Sequence, residues 1–199
     1  MRIVVVGAEG TVGQAAISGF SKGHEIITAG RTSGDVQVDL ADEKSVAAMF
    51  SKLGRVDAVV ACTGHSYFGP VSGMTSTQFL GGLKDKVMGQ VNLVLLGMEH
   101  VDDGGSFTLT SGILSRDPIR QGANAAACDG AIDAFVIGAA IEMPRGLRIN
   151  AVSPGLLAAA AQKYDGFFPG HNAVSNERVG LAFAKSVEGA ITGQIICVD

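Results

Sequence analysis

Short apolar runs alternate with amphipathic segments along the chain, and this alternation constrains the fold more than any other feature. Residues 2–6 form a β-branched run that ends at Gly7, and residues 11–22 then place apolar side chains on one helical stripe. Further strands are predicted at 25–29, 35–39, 58–62, 106–109, 147–152 and 194–198. Further helices are predicted at 42–53, in two pieces within 75–98, and at 123–142 and 176–188. The alternation predicts an α/β fold with a doubly wound parallel sheet.

Composition restricts the size of the fold and its partners. A chain of 199 residues can bury a substantial core but is too short for a second full domain, so a single domain over 1–199 is expected. Hydrophobic residues make up 47% and charged residues 17%, which excludes a disordered chain. The net charge is −4 and the basic residues do not cluster, so neither nucleic acid nor an acidic membrane surface is an expected partner.

The cysteines indicate a reducing environment. Cys62, Cys128 and Cys197 are odd in number, widely spaced and set among apolar or small residues, which is typical of reduced thiols. The first apolar run is too short for a signal peptide or a membrane span. We therefore expect a cytoplasmic protein. No metal site is predicted, because the histidines outside the predicted cleft have no companions at ligand spacing.

A glycine-rich turn joins the first strand to the first helix. In such a turn one glycine bends the chain, another lets backbone N–H groups approach a pyrophosphate, and the last packs the helix on the strand. Its place at the first strand–helix junction favours a Rossmann-type dinucleotide site over a plain turn, although the charge of Glu9 does not suit a phosphate loop. The predicted cofactor residues here are Gly7, Glu9, Gly10, Thr11, Val12 and Gly13.

The end of the second strand predicts which dinucleotide binds. NAD-selective sites carry an acidic residue there, whereas this chain has Arg31, Thr32 and Ser33. A guanidinium binds phosphate in a fork and hydroxyls supply further donors, so the 2′-phosphate of NADP (NADPH) is the predicted ligand. The alternative is a solvent-facing arginine in a turn, because arginine is mostly exposed in proteins.

Several segments in order resemble the short-chain dehydrogenase/reductase family over essentially the whole chain. Beyond the glycine loop these are Val38-Asp39-Leu40, Cys62-Thr63-Gly64, Leu109-Thr110-Ser111-Gly112 and the most specific stretch, 148–155. The resemblance implies further cofactor residues, which are Asp39, Leu40, Cys62, Thr63, Gly64, Pro154 and Gly155. Within this set, it implies that Asp39 bonds the adenine edge, that Gly64 lines the adenosine ribose, and that Pro154 and Gly155 support the nicotinamide.

The chain departs from the family at the proton donor. The family carries Tyr-x-x-x-Lys about a dozen residues after its serine, and the aligned helix of this chain has Ala125 and Asp129 in those places. In the family, a tyrosine whose pKa is lowered by the lysine protonates the alkoxide formed by hydride transfer. Lys86 falls where the family has a catalytic asparagine. The resemblance therefore implies an atypical active site.

Ser111, Lys86 and Tyr67 are the candidates for a substitute catalytic set. The resemblance implies that Ser111 orients the substrate oxygen. Tyr67 follows the turn expected to face the nicotinamide, and His65 beside it could also donate a proton. Tyr67, His65 and Lys86 have alternative interpretations, since a histidine or tyrosine in a loop more often packs or is solvated, and Lys86 lies in a charged run typical of a helix surface.

Two functions remain open at this point. One is an NADP-dependent short-chain oxidoreductase acting on an unidentified small carbonyl or alcohol, and the other is a catalytically silent NADP(H)-binding sensor or partner subunit. A stripe of small and apolar residues on the predicted helix 123–142, through which family members commonly pair, predicts a homodimer or homotetramer. The stripe consists of Ala126, Gly130, Ala134, Gly138 and Ile141.

Overall fold

Seven parallel strands form one sheet in a computed structural model that describes residues 1–199. The strands are β1 (Arg2–Val6), β2 (Glu25–Gly30), β3 (Val36–Gln37), β4 (Val56–Ala61), β5 (Val101–Thr110), β6 (Arg148–Pro154) and β7 (Ile195–Val198). Their order in space is β3-β2-β1-β4-β5-β6-β7, and every neighbouring pair is parallel. This confirms the predicted Rossmann-type, doubly wound sheet.

Six α-helices cover the sheet. They are α1 (Thr11–Gly19), α2 (Glu43–Leu53), α3 (Ser76–Gly82), α4 (Gly89–Gly97), α5 (Ala123–Ala140) and α6 (Asn176–Glu188). Leu83–Met88 is π-helical and joins α3 directly to α4, so the two predicted helical pieces form one continuous helical run. A 3₁₀ segment, Ala158–Tyr164, lies between β6 and α6.

Several elements differ in their bounds from the prediction; strand β3, for example, spans only Val36–Gln37 rather than 35–39. Helix α1 ends at Gly19 rather than at residue 22, because Phe20 is extended and Gly23 has a positive φ of 95°. Strand β5 begins at Val101 rather than at residue 106. The charges and glycines of residues 102–105 conceal its first half in the sequence, and the register with β4 shifts there.

The sheet separates two layers of apolar core. Along β1, Val4 and Val6 face the layer with Phe50 and Phe107, whereas Ile3 and Val5 face the layer with Phe183. Alternate side chains of a strand point to opposite faces, so a central strand covered on both sides is apolar at every position. This explains why the predicted strands are continuous apolar runs.

The strand order places the ligand-binding edge. The chain leaves β1 for β2 on one side and later returns to β4 on the other, so the carboxyl ends of β1 and β4 form the topological switch point of the sheet. Ligands in such sheets bind in the crevice outside these strand ends. The loops after β1, β2, β4 and β5 all open at this edge.

Helix α5 is the only helix whose length and apolar composition would allow it to cross a membrane. It packs on the sheet through Ile132 and Val136, which are fully buried, and about a third of it is buried inside the protein. Its exposed side carries Ala134, Ile137 and Ile141. The helix is therefore a core element on one side and an apolar surface on the other.

Helices α1 and α6 cross at two glycines. A Cβ added to Gly180 would lie 2.5 Å from the carbonyl oxygen of Ala15 and 3.0 Å from the Cα of Gly19. The backbones are in direct contact at this point, so no side chain fits between the helices.

We expect Gly180→Ala to lower the free energy of unfolding by about 1–3 kcal/mol, because the methyl group overpacks a backbone contact. The matched control is Gly81→Ala, since Gly81 is helical and has nothing within 4 Å of its added Cβ. That change should be neutral or stabilising by up to about 1 kcal/mol, because alanine is the better helix former. Urea unfolding followed by circular dichroism measures both. Equal effects of the two substitutions would contradict the close crossing.

Candidate cofactor and active site

The loop after β1 forms a cradle of bare backbone. Gly7 has a φ of 82°, and a Cβ on it would lie 2.5 Å from the carbonyl oxygen of Cys62. A Cβ on Gly13 would lie 2.2 Å from the carbonyl oxygen of Gly7. Gly10 caps the start of α1, and its N–H donates to the Gly7 oxygen at 3.1 Å. The free amides of a helix N-terminus thus lie next to a loop with no room for side chains, as a pyrophosphate requires.

Two cavities flank this cradle. The first, here called the Arg31 cavity, has a volume of about 140 Å³ and is lined by Gly7, Arg31, Asp39, Leu40 and Thr63 among others. The second, the Pro154 cavity, has a volume of about 290 Å³. Its lining includes Thr11, Val12, Pro154 and Gly155. Segments that are far apart in the sequence therefore form two neighbouring cavities, one for each nucleotide of a dinucleotide.

Within the Arg31 cavity, the predicted phosphate donors are only partly free. Arg31 is exposed and makes no ion pair. The Ser33 hydroxyl donates to Glu9 Oε2 at 2.7 Å, and Thr32 is exposed but does not line the cavity. Arg31 is therefore the available anion-binding group. The Ser33 hydroxyl is already bound to Glu9, the acidic residue whose charge does not suit a phosphate loop.

Asp39 is fixed at the edge of the same cavity. Its Oδ1 accepts from the backbone N–H of Ala41 at 3.0 Å, and its own N–H donates to Ser45 Oγ at 2.9 Å. These bonds hold the turn before α2 in place, so the carboxylate is presented to the cavity without side-chain reorganisation.

The loops after β4 and β5 are locked together by a buried glutamine. Gln90 is fully buried and donates to the carbonyl oxygens of Thr63 at 3.3 Å and Thr110 at 2.9 Å, while its Oε1 accepts from the Thr110 N–H at 2.8 Å. The sequence analysis missed Gln90, although an amide within an apolar helical stretch was a signal. Burial raises the pKa of the neighbouring Cys62 thiol to about 12, which disfavours the reactive thiolate form.

The Pro154 and Gly155 turn is held from the other side. The Arg116 guanidinium donates to Ser153 Oγ at 2.6 Å and to the Ser153 carbonyl at 3.3 Å, and it also pairs with Asp199. The Gly155 N–H donates to the Val198 carbonyl at 2.8 Å. These contacts fix the wall of the Pro154 cavity to the end of β7.

A buried ion pair lies at the inner end of the site. Lys86 Nζ is paired with Asp129 Oδ1 and donates to the carbonyl oxygen of Ser111 at 3.2 Å. The Lys86 side chain is 15% exposed and that of Asp129 only 3%. Burial raises the pKa of Asp129 above its ordinary value, while the Lys86 cation acts in the opposite direction. Lys86 is therefore not the solvated surface lysine of the alternative interpretation.

Backbone features bring Lys86 to this place. It lies in the π-helical segment Leu83–Met88, a rare geometry that often occurs at functional sites. Gly64 has a φ of 123°, and a Cβ on it would lie 2.7 Å from both Cα and Cγ of Lys86. The absence of a side chain on Gly64 therefore makes space for the aliphatic part of the Lys86 side chain.

A third cavity opens in front of the ion pair, and we call it the Lys86 cavity. It has a volume of about 520 Å³, and Lys86, Ala125 and Asp129 form its inner wall. Ala125 lies four residues before Asp129 on α5, so the two share one face of the helix. Phe68, Lys163, Tyr164 and Asp129 line both this cavity and the Pro154 cavity, so the two adjoin.

Ser111 and Tyr67 lie differently from the predicted arrangement. The Ser111 hydroxyl is buried with no hydrogen-bond partner, and its neighbour Gly112, rather than Ser111, lines the Pro154 cavity. Tyr67 lines neither the Pro154 nor the Lys86 cavity. Its hydroxyl packs closely on Gly69, because a Cβ added to that glycine would lie 2.4 Å from it. Of the two tyrosines, Tyr164 is the one that reaches the ion-pair side of the cleft.

Sequence reasoning missed three groups that line the cleft. It noted only that Asp129 stands where the family has a lysine. A carboxylate within an alanine-rich helix could also have indicated a buried charged group with a partner. Lys163 and Tyr164 lie in the 3₁₀ segment, which carried no periodic pattern. Their place in the cleft depends on how the loop after β6 folds back.

Comparison with known proteins gives the family. A family model described as enoyl-(acyl carrier protein) reductase matches residues 7–199. The chain belongs to the short-chain dehydrogenase/reductase family. It is accordingly a member of a family of oxidoreductases that use nicotinamide cofactors.

Similar solved structures share the whole fold. The protein lin1944 from Listeria innocua is 47% identical, with full coverage of both chains and a TM-score of 0.98. A small-chain dehydrogenase in complex with NADPH is 28% identical, covers 100% of this chain and 96% of its own, and has a TM-score of 0.87. Glucose and ribitol dehydrogenase homolog 2 from Arabidopsis thaliana is 24% identical over 60% of this chain. The alignment spans only 43% of that plant protein.

We expect Lys86→Met to lower the free energy of unfolding by about 3 kcal/mol, because it leaves the Asp129 carboxylate buried without a cation. The double variant Lys86→Met/Asp129→Asn should regain most of this loss, since no unpaired charge then remains. Urea unfolding of the wild type, both single variants and the double variant at pH 7 measures the coupling. Additive losses would show that the two side chains do not interact.

The loss in Lys86→Met should also shrink as the pH falls. Burial raises the folded-state pKa of Asp129 above its ordinary value of 3.8, so the protonated carboxyl favours the folded state. The contribution of protonated Asp129 to the free energy of unfolding is fully present below its ordinary pKa. It is lost as the pH rises through the raised folded-state pKa. Unfolding curves of the variant between pH 7 and pH 4 test the direction.

Proposed function

We propose that the protein is an NADP(H)-dependent oxidoreductase with an atypical active site that acts on a small carbonyl or alcohol. The observation that carries the proposal is the glycine cradle beside a cavity lined by Arg31, with no acidic residue at the end of β2. The NADPH complex of a relative with 28% identity supports the same cofactor.

The residues of the cleft fit such a cofactor. Bare amides at the start of α1 suit the pyrophosphate, Arg31 suits a 2′-phosphate, and Asp39 suits the adenine edge. Pro154 and Gly155 would support the nicotinamide, which supplies a hydride when it is bound. The chain's own contribution is to hold this ring beside the Lys86 cavity.

NADPH should bind more tightly than NADH by about tenfold to a hundredfold, because a charge-assisted contact to phosphate contributes about 1.5–3 kcal/mol. Arg31→Asp should remove the preference. Arg178→Asp is the matched control, since Arg178 is exposed on α6 and lines none of the three cavities. Fluorescence titration with both nucleotides measures the affinities. Equal affinity of the wild type for both would refute the NADP assignment.

The Lys86 cavity is the proposed substrate site. It adjoins the Pro154 cavity, and Phe68, Tyr164 and Phe167 give it an apolar and aromatic lining around one buried ion pair. Such a wall suits a small carbonyl compound whose oxygen is directed towards the polar inner end. A panel of aldehydes, ketones and quinones followed by NADPH absorbance identifies the substrate.

Ser111 is proposed to orient the substrate oxygen, because its buried hydroxyl has no hydrogen-bond partner and the next residue, Gly112, lines the Pro154 cavity. Ser111→Ala should lower kcat by about 100-fold, as the loss of one preorganised donor does, with little change in NADPH affinity. Tyr67→Phe tests the other residue that the sequence suggested. Tyr67 does not line the Lys86 cavity, so a small effect on kcat is expected, and a fall of about 100-fold would instead assign Tyr67 to the substrate oxygen. Full activity of Ser111→Ala would place the chemistry elsewhere in the cleft.

The alternative function is a catalytically silent sensor or partner subunit that binds NADP(H). The observation that favours it is Ala125, which leaves the family's tyrosine position without a proton donor. The two functions differ only in turnover. NADPH binding without oxidation by any compound of the panel would support the silent protein.

A second copy of the chain and a reducing compartment complete the proposal. All three cysteines are free thiols, which is consistent with the cytoplasm. Leu95 on α4 and Ile137 and Ile141 on α5 are large apolar side chains that are 53%, 56% and 87% exposed. We infer that these faces pair in a homodimer or homotetramer.

The protein should therefore not be monomeric at micromolar concentration. Ile137→Lys/Ile141→Lys should reduce the mass measured by light scattering to that of one chain, because charges would be buried in the interface. The substitution Leu181→Lys is the control, since Leu181 is also exposed but lies on α6. A monomeric wild type would refute the pairing.

A further inference from the structure

The Lys86–Asp129 pair stands where the family's catalytic groups would stand, but with its charges transposed. The family's lysine position on α5 holds Asp129, and its asparagine position holds Lys86. A cation is therefore retained at the inner end of the cleft, although it now comes from the π-helical segment rather than from α5. Ala125 occupies the family's tyrosine position. Its methyl group lines the cavity but provides no proton donor.

The hydrogen bonding of Lys86 leaves one donor free. A protonated lysine has three N–H bonds. One is directed to Asp129 Oδ1 and one to the Ser111 carbonyl oxygen, so the third has no partner in the protein. Since Lys86 lines the cavity, this remaining donor is available to a substrate oxygen.

Other proton donors at the cleft are less constrained. The His65 side chain is 86% exposed and lies 3.9 Å from the Asp85 carboxylate. Lys163 is exposed, and its Nζ lies 5.5 Å from the ring centre of Tyr164. Lys163 and Tyr164 belong to the 3₁₀ segment rather than to the strand ends. Lys86 alone combines burial, two fixed hydrogen bonds and a free donor.

We propose that Lys86 is the proton donor to the substrate oxygen and that Asp129 is the positioning residue that holds its ammonium group. This inference rests on the proposed oxidoreductase function. A reduced nicotinamide held at Pro154 and Gly155 would supply the hydride for the carbonyl carbon. The carbonyl oxygen gains the electron pair of the C=O π bond and takes a proton from Lys86 Nζ, so an O–H bond forms and an N–H bond breaks. The amine then regains a proton from water in the cavity.

Asp129 serves this reaction in two ways. Its carboxylate fixes the position of Nζ, and its negative charge compensates the positive charge of the ammonium group, which is largely removed from water. The carboxylate is itself confined, because a Cβ on Gly112 would lie 2.6 Å from its Oδ2. The raised pKa of Asp129 agrees with a buried carboxylate whose charge depends on its lysine partner.

The first test measures Lys86 without cofactor or turnover. Only an accessible, unpaired amine reacts readily with N-hydroxysuccinimidyl acetate, so the rate of acetylation, located by peptide mass spectrometry, reports how firmly Asp129 holds Nζ. Because Lys86 is paired and only 15% exposed, it should react at least about tenfold more slowly than the exposed Lys163, and Asp129→Asn should raise its rate by about tenfold while leaving Lys163 unchanged. Equal rates for Lys86 and Lys163 in the wild type would overturn the proposal.

The second test separates proton donation from a structural role. Lys86→Arg keeps a positive charge beside Asp129, but arginine does not release a proton in proteins. With the carbonyl substrate found in the panel, its single-turnover rate should fall by about 100-fold or more, with unchanged NADPH affinity and thermal unfolding. Lys84→Arg is the control, since Lys84 is exposed on the same π-helical segment.

The outcomes distinguish this inference from the function on which it rests. If the wild type reduces no compound of the panel, the oxidoreductase function fails, and the proton donor fails with it. If the wild type is active and Lys86→Arg keeps more than a third of its rate, only the role of Lys86 is wrong. A large loss in Tyr164→Phe together with full activity of Lys86→Arg would transfer the role to Tyr164.

Discussion

The close approach of two backbone loops at the centre of the sheet governs the rest of the site. Gly7 follows β1 and Gly13 lies in α1, and side chains at either position would overlap the backbone around Cys62 or Gly7 itself. Helix α1 can therefore start directly above the carboxyl end of β1, with its free amides facing the crevice. The two cavities on either side of the cradle exist because this contact is so close.

Two polar side chains fix the strand ends around that cradle. The buried Gln90 links the loop after β4 to the end of β5, and the exposed Arg116 links Ser153 in β6 to Asp199 after β7. A buried amide that satisfies several backbone groups resists movement, because breaking any one bond leaves a desolvated donor or acceptor. The cleft is thus preorganised at its strand ends, while the 3₁₀ segment with Lys163 and Tyr164 forms its outer wall.

The Lys86–Asp129 ion pair keeps two opposite charges together at the inner end of the cleft. The Asp129 carboxylate alone would be a buried, uncompensated negative charge, and that cost is offset because Lys86 reaches it across the cleft. The reach depends on the π-helical segment and on the missing side chain of Gly64. An ion pair alone is weak evidence of stability, so the free third N–H of Lys86 and its place in a cavity wall carry the functional interpretation.

The sequence by itself determined the sheet, the cradle and the cofactor-binding edge. Continuous β-branched runs predict strands buried on both faces, and the glycines at 7, 10 and 13 predict a backbone site, because these are local patterns with one physical solution. The same local patterns did not reveal the first half of β5, where Val101 pairs with Val56 but the charges and glycines of residues 102–105 resemble a turn and lie at a register shift.

Only the tertiary structure decided what the unusual residues do. Lys86 and Asp129 are 43 positions apart, and in the sequence one resembles a solvated lysine while the other marks a lost catalytic group. Folding buries both and makes each the partner of the other. It likewise brings Tyr164 to the cavity and leaves Tyr67 against Gly69. Such roles depend on which helix faces which strand end, and that is set by packing over long distances in the chain rather than by the spacing of neighbouring residues.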